Sequence, residues 1–316
     1  MRFAVPLLCA LVSSACTKTG TQICPSQDRP SARSQLTAVL DPTTNEIYAL
    51  GGEGARLPFD ELWRWSFGAC GGWAHLMPPD PTPGPRASYA AALDDSRHRI
   101  VYIGGAGSND VWSFDLDKLA FTKLATVGTA PIVNSSAVAA YDAMHDRIVY
   151  AGVETYTLEF AGSEQGQWVF ANATSLSPPA SSTVDPTRGM MVARDGTGLH
   201  GFRFLTSAWQ DIAMTGDLPP TGAAIVWDDY DKAVLAVADR VYVGTLDANG
   251  SSAAFMALAN STNDPPPRTS FALAVSGNVL WLSGGVTAAS CNLDDLWTLD
   301  LTTRVWTNVW PATTCM

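Results

Sequence analysis

Charged side chains are scarce in this chain. Asp, Glu, Lys and Arg make up 16% of its 316 residues, and the balance is acidic, with a formal net charge of −11. A surface of that sign repels phosphate backbones and excludes nucleic acid as a partner class. No block of like charges is present to act as a binding tail. Sustained helical periodicity of apolar residues is also missing, which argues against a helical fold. Beyond the N-terminal segment, no stretch is long and apolar enough to cross a bilayer as a helix. Histidine occurs only 4 times. No His-Glu-x-x-His motif, nucleophile elbow or phosphate-binding loop appears. No pair of cysteines has C-x-x-C spacing, so zinc is a poor fit. The expectation is a chain with no metal and no cofactor.

What the chain has instead is apolar and aromatic mass, with 47% hydrophobic residues and 11 Trp. Aromatics at that density suit sheet packing, where they fill the space between faces. The length fits either two domains or one closed β architecture. One phrase recurs: Glu46–Gly52 reads EIYALGG, Arg99–Gly105 reads RIVYIGG and Asn278–Gly285 reads NVLWLSGG. Each is followed by an acid-aromatic strand, at Glu61-Leu62-Trp63, Asp110-Val111-Trp112 and Asp295-Leu296-Trp297. A second landmark is an apolar strand that ends in Asp before a short turn. It falls at Asp41, Asp94, Asp142, Asp185 and Asp228, at intervals of 53, 48, 43 and 43 residues. Aspartate suits these turns because its carboxylate accepts backbone N–H groups two residues on. In the sixth unit Gly277-Asn278 supplies a tight hairpin instead.

Each unit then follows one plan. A strand of small residues comes first, fit for crowding round a channel, and a strongly apolar strand second. The third strand carries an aromatic column: Trp63, Trp112, Tyr156, His200, Tyr242 and Trp297. The fourth carries Trp73, Phe121, Trp168, Trp209, Phe255 and Trp306. Pro-rich links such as Pro78–Pro85 and Pro265–Pro267 separate the units, since Pro cannot donate to a ladder. Four antiparallel strands repeated six times predict an all-β, six-bladed β-propeller. The double glycines, the acid-aromatic third strand and the fourth-strand Trp resemble the Kelch repeat over residues 31–310. The likeness is specific in units one, two and six and degenerate in units three to five.

The N-terminus reads as an export leader over residues 1–15, with Arg2 in a short basic region and an apolar stretch from Phe3 to Val12. It resembles a bacterial lipoprotein signal, in which Cys16 is acylated and residues 16–32 form a lipidated tether ahead of a propeller over 33–316. Ser13 stands where that family usually has Leu, and cleavage after Ala15 by an ordinary signal peptidase is the other reading. The chain is thus expected outside the cytoplasm. It is either anchored to a bacterial membrane through its lipid, in the periplasm or at the cell surface, or secreted. The sequons at Asn134, Asn172, Asn249 and Asn260 read as chance in a Ser/Thr-rich bacterial chain. Beyond Cys16, four cysteines remain in the mature part, and an exported protein keeps disulfides. Cys24–Cys315 with Cys70–Cys291 would staple the seam between units six and one. Each bridge would close a loop worth about 4–5 kcal/mol in chain-entropy models. A local Cys24–Cys70 pair is the alternative.

Candidate sites are few. Arg33, Arg86 and Arg268 open the inner strands of units one, two and six in similar frames, Arg33-Ser34, Arg86-Ala87-Ser88 and Arg268-Thr269-Ser270. Three guanidinium groups at one channel mouth would clamp a carboxylate or an anionic sugar. The same groups would alternatively pin the Pro-rich links through carbonyls. Asp228-Asp229-Tyr230-Asp231 bunches three carboxylates but lacks the Gly and distal Glu of a calcium loop, and turn chemistry accounts for it. His200 reads as a packing residue, His98 and His145 as turn residues, and His75 as surface. The function expected is that of a monomeric binding or scaffold propeller for an unknown protein or glycan, touching membrane only through its lipid. The alternative is a carbohydrate-active enzyme such as a sugar mutarotase, known among Kelch-like propellers. Galactose oxidase chemistry is disfavoured because it needs a Tyr–Cys cofactor and clustered His.

Overall fold

The computed structural model describes residues 28–67, 71–105, 107–132, 135, 137–160, 165–173, 177, 181–261 and 263–313. The leader, Cys16, Cys24, Cys70, Asn134 and Cys315 lie outside the described residues. Among the described residues there is no α-helix, only one 3₁₀ turn at Asp95–Arg97.

The chain folds into successive four-stranded antiparallel meanders. The first is β1 (Thr37–Asp41), β2 (Glu46–Leu50), β3 (Leu62–Ser66) and β4 (Gly72–Leu76). The second is β5 (Ala90–Asp94), β6 (Arg99–Ile103), β7 (Val111–Asp115) and β8 (Ala120–Lys123), trailed by the short β9 (Thr126–Val127). The third is β10 (Val138–Asp142), β11 (Arg147–Ala151), β12 (Thr155–Glu159) and β13 (Gly166–Asn172). The fourth is β14 (Ser181–Asp185), β15 (Met190–Arg194), β16 (Leu199–Arg203) and β17 (Ala208–Gly216). The fifth is β18 (Ala224–Asp228), β19 (Ala233–Val237), β20 (Val241–Leu246) and β21 (Ser252–Ala257). The last is β22 (Ala272–Ser276), β23 (Val279–Ser283), β24 (Leu296–Asp300) and β25 (Val305–Trp310).

Hydrogen bonding groups these strands into five sheets rather than one sheet per meander. The cause is local. The nine-residue β17 pairs with β16 over its first half, then runs parallel to β21 over Ala213–Gly216 and so joins two meanders edge to edge. β9 runs parallel to β13 in the same way. In both places a link continues beyond its own outer strand along the outer strand of the next meander.

The aspartate landmarks end β1, β5, β10, β14 and β18, and all five carboxylates are buried. Asp41 accepts from the Thr43 amide at 2.9 Å, Asp185 from Thr187 at 2.9 Å and Asp228 from Tyr230 at 2.9 Å. This is the local turn closure that the residue type implies. The second strands β6, β11, β15 and β19 are buried at every position, because both of their faces are covered. An alternating pattern is therefore absent from them although they are antiparallel.

The core is divided between neighbours. Each of its clusters combines residues of two consecutive meanders, and one combines the last with the first: Ala272, Ala274, Trp281 and Leu296 pack with Leu36, Ile47, Trp63 and Trp73. Trp73 and Trp281 meet edge to face at 5.6 Å across this seam, a geometry aromatic rings favour. The first strands follow the same circuit, with β1 beside β5 and β22, β5 beside β10, β10 beside β14, β14 beside β18, and β18 beside β22. Among the described residues no strand is exchanged at the seam, since β1–β4 and β22–β25 are each continuous in sequence. Main-chain bonds close it: Gly285 N donates to Arg33 O at 2.9 Å, Arg33 N to Leu293 O at 3.0 Å and Gln35 N to Ser270 O at 3.0 Å.

Candidate functional site

The three arginines are buried, and each is engaged by its own meander. Arg33 pairs with Glu61 at 2.5 Å, Arg86 with Asp110 at 3.3 Å, and Arg268 with both oxygens of Asp295 at 2.5 and 2.7 Å. Their Nη1 atoms also donate to the carbonyls of Gly51, Gly104 and Gly284, the first residue of each double glycine. Their Nε atoms donate to carbonyls two residues back, at Ser31, Gly84 and Pro266. The acid is shared with the third-strand tryptophan, whose indole N–H donates to Glu61, Asp110 or Asp295 at 2.8–2.9 Å. For Glu61, burial works to raise the pKa, but the bonds from Arg33 and Trp63 outweigh it and hold the carboxyl below its usual range.

This corrects the picture of a shared anion clamp. None of the three guanidinium groups borders the central cavity, and their donors are spent on a carboxylate and on carbonyls, including those of the Pro-rich links. The alternative reading, pinning of those links, describes what the side chains do. The arginine main chain adds a tie between meanders: Gly52 N donates to Arg86 O at 3.0 Å, as Gly285 N does to Arg33 O. The double glycines make this approach possible. Gly51 and Gly52 have φ of 61° and 93°, and Gly284 and Gly285 have 67° and 97°, a region that side-chain-bearing residues avoid.

Units three to five lack the arginine and the double glycine but keep the acid-aromatic bond. The Tyr156 hydroxyl donates to Glu154 at 2.9 Å, Tyr242 to Asp239 at 3.0 Å, and His200 Nε2 lies 3.1 Å from Asp195. The acids stand two to five residues ahead of the aromatic, so a fixed spacing does not find them. Arg194 meanwhile reaches from β15 to the carbonyls of Pro219 and Pro220, at 2.9 and 3.1 Å, and pins a link from a different strand.

The remaining sequence candidates are separate from one another. His75 stacks on Trp63 at 4.7 Å. His98 bridges the turns of two meanders, 3.1 Å from Asp41 and 2.9 Å from Asp117, and the Asp41 bond raises its pKa. His145 bonds Asp142 within its own turn. Asp228 closes its turn, its pKa raised chiefly by burial, while Asp229 pairs with Lys232 at 2.7 Å. The described residues contain no group of three or more His, Cys, Asp or Glu placed to hold a metal ion. Cys291 takes part in a disulfide.

A central cavity of about 590 Å³ is bordered by the first strands of all the meanders and the segments that lead into them. Its described lining holds no charged side chain. Its polar groups are Gln35 and the hydroxyls of Ser88, Ser135, Ser182, Ser270 and others, set among alanines, Tyr89 and Phe271. The Tyr89 hydroxyl is turned away to the Leu50 carbonyl, and burial pushes its pKa up to about 12. The links between second and third strands differ in length. They run over 51–61 and 284–295 in units one and six, whereas units four and five turn back within residues 195–198 and 238–240.

Residues 267–309 match the Kelch motif. No curated protein matches the chain. Among solved structures, one described as "Structure of YjhT" superposes with a TM-score of 0.66 at 12% identity, covering 89% of this chain and 98% of that one. At that identity the likeness speaks to fold alone. Since 966 solved chains match, the fold by itself selects no function. By motif and by fold, the chain is similar to Kelch-type β-propellers, with the motif match confined to its last meander.

Proposed function

We propose that the chain is a six-bladed, Kelch-type binding propeller that recognises a protein or glycan at the upper mouth of its central cavity. Six blades are supported by the circuit of first strands and by the core clusters shared between consecutive meanders. The binding reading is carried by the cavity, which is large enough for a small-molecule site and polar without charge. The second reading, a sugar mutarotase, needs a group titrating near neutrality where the anomeric centre sits. In the described lining Tyr89 is the titratable group, and its hydroxyl lies far from that range. Ser182→Trp fills the cavity from its wall. This variant is expected to abolish retention of the wild-type ligand on a glycan array or in envelope cross-linking, with an unchanged melting temperature. Unchanged retention overturns the mouth as the site.

We further propose that the ring is exported and held at a bacterial membrane by a lipid on Cys16, with Cys24–Cys315 and Cys70–Cys291 closing the seam as a monomer. The seam reading is supported by the place of Cys291 in the link between β23 and β24, beside the ties to Arg33 and from Asn292 to Glu53. Arg29 supports it too: it reaches the Pro311 carbonyl at 2.8 Å and pairs with Asp294, so the incoming chain lies on the outgoing one. Mass spectrometry of the mature protein is expected to find an acylated Cys16 and, without reduction, those two bridges. An unmodified Cys16 means secretion, and a Cys24–Cys70 peptide removes the seam disulfides.

A further inference from the structure

Three residues at corresponding positions take the left-handed backbone conformation: Gln35 at φ 55°, Ser88 at 54° and Ser270 at 54°. Each stands two residues after one of the buried arginines, and each borders the central cavity. Residues of these types are uncommon in that region, and here main-chain bonds hold them in it. Gln35 N donates to Ser270 O at 3.0 Å and Ser88 N to Gln35 O at 3.3 Å, forming a belt across units six, one and two. The ion pairs of the buried arginines, two residues ahead in the chain, anchor the segments that carry the belt. The result is an arc with one primary amide and two hydroxyls whose origins are rigidly spaced, and with the half-buried Phe271 next to Ser270. The Ser88 hydroxyl bonds Gln35 Oε1, which orients the amide and leaves its Nε2 free to donate.

We propose that this arc binds a neutral saccharide, with Phe271 against the apolar face of a pyranose and Gln35, Ser88 and Ser270 on its hydroxyls. The proposal rests on the binding reading above and names its ligand class. An anionic sugar would lose its hydration with no counter-charge in the described lining, because the nearest arginines are already paired and the chain carries −11. A cationic ligand would find no carboxylate in that lining. A purely apolar ligand would strand the amide and the hydroxyls. A sugar ring satisfies both kinds of surface at once, and the cavity has room for more than one ring.

The test uses the intact mature protein. Saturation-transfer NMR and calorimetry are run against neutral hexoses, N-acetylhexosamines and their disaccharides, with the matching uronic acids as controls. At least one neutral sugar is expected to bind, and its uronic acid to bind about tenfold more weakly or worse, given the uncompensated charge. Gln35→Leu should weaken the neutral sugar about tenfold, the scale of a lost polar contact that leaves its partner unpaired. Ser88→Gly and Ser270→Gly should each weaken it several-fold without lowering the melting temperature, because glycine accepts the left-handed backbone. No neutral sugar bound, a uronic acid bound as tightly as its parent, or an unchanged affinity in Gln35→Leu each overturns the proposal. If Ser182→Trp abolishes retention of a captured partner while no neutral sugar binds, the saccharide proposal falls and the binding reading stands. If the plug changes nothing, the binding reading falls with it.

Discussion

Replacing Arg268 by alanine is expected to cost about 3–5 kcal/mol of folding stability, because it leaves a buried carboxylate unpaired. Arg268 and Asp295 have side chains 1% and 3% exposed, and their bond is bidentate. The loss also strips a donor from the Gly284 carbonyl and one from Pro266. The equivalent changes at Arg33 and Arg86 should cost less. Glu61 and Asp110 are 28% and 16% exposed, so water takes up part of the freed charge. Urea denaturation of the three single variants reads the order. A loss at Arg268 no greater than at Arg86 would show that depth of burial does not set the strength of these locks. Removing both partners, as in Arg268→Leu with Asp295→Leu, should recover part of the loss, since two neutral groups leave no orphaned charge.

Gly51→Ala is the second large effect, expected at about 3–5 kcal/mol through strain and overpacking together. A Cβ on Gly51 would stand 2.2 Å from the Arg86 carbonyl oxygen and 3.0 Å from that of Phe59. Neither can retreat cheaply. Arg86 O accepts from Gly52, and Phe59 O accepts from Arg86 N, so a shift would open the joint between the first two meanders. Gly189 is the control. Its φ of 59° is close to the 61° of Gly51, but a Cβ there meets nothing within 4 Å. Gly189→Ala should therefore show the left-handed penalty alone, roughly 1–2 kcal/mol. Thermal or urea unfolding compares the two. Equal losses would mean that the backbone conformation, and not the close approach, makes the double glycine necessary.

Much of the fold is legible in the sequence because the signals that specify it are short-range. Asp41, Asp94, Asp142, Asp185 and Asp228 end their strands as turn chemistry requires. The aromatic columns from Trp63 to Trp297 and from Trp73 to Trp306 fall on third and fourth strands throughout. Short apolar strands and Asp turns are each decided within a few residues, and repetition multiplies the signal. The merging of two meanders through β17 was not legible, since nothing near Ala213–Gly216 marks it as the neighbour of β21. The persistence of the acid-aromatic bond at Glu154, Asp195 and Asp239 was hidden as well, because loop length varies between acid and ring.

The arginines mark the boundary most sharply. Their sequence frames place them ahead of the first strands of units one, two and six, each four residues before β1, β5 or β22. Their side chains could have gone up into the cavity mouth or down into the blade, and one residue's chemistry does not choose. The choice falls to three segments distant in sequence: the inner-strand start, the double glycine and the acid before the Trp. Only when folding brings these together does a carboxylate become available to the buried guanidinium at 2.5–3.3 Å. Sequence thus determined the repeat, its turns and its aromatic columns. The tertiary structure decided that the charges pair inward and that the mouth is left to Gln35, Ser88, Ser270 and Phe271. The physical reason is that a guanidinium taken out of water must meet a counter-charge, and where that counter-charge lies is a property of the assembled ring.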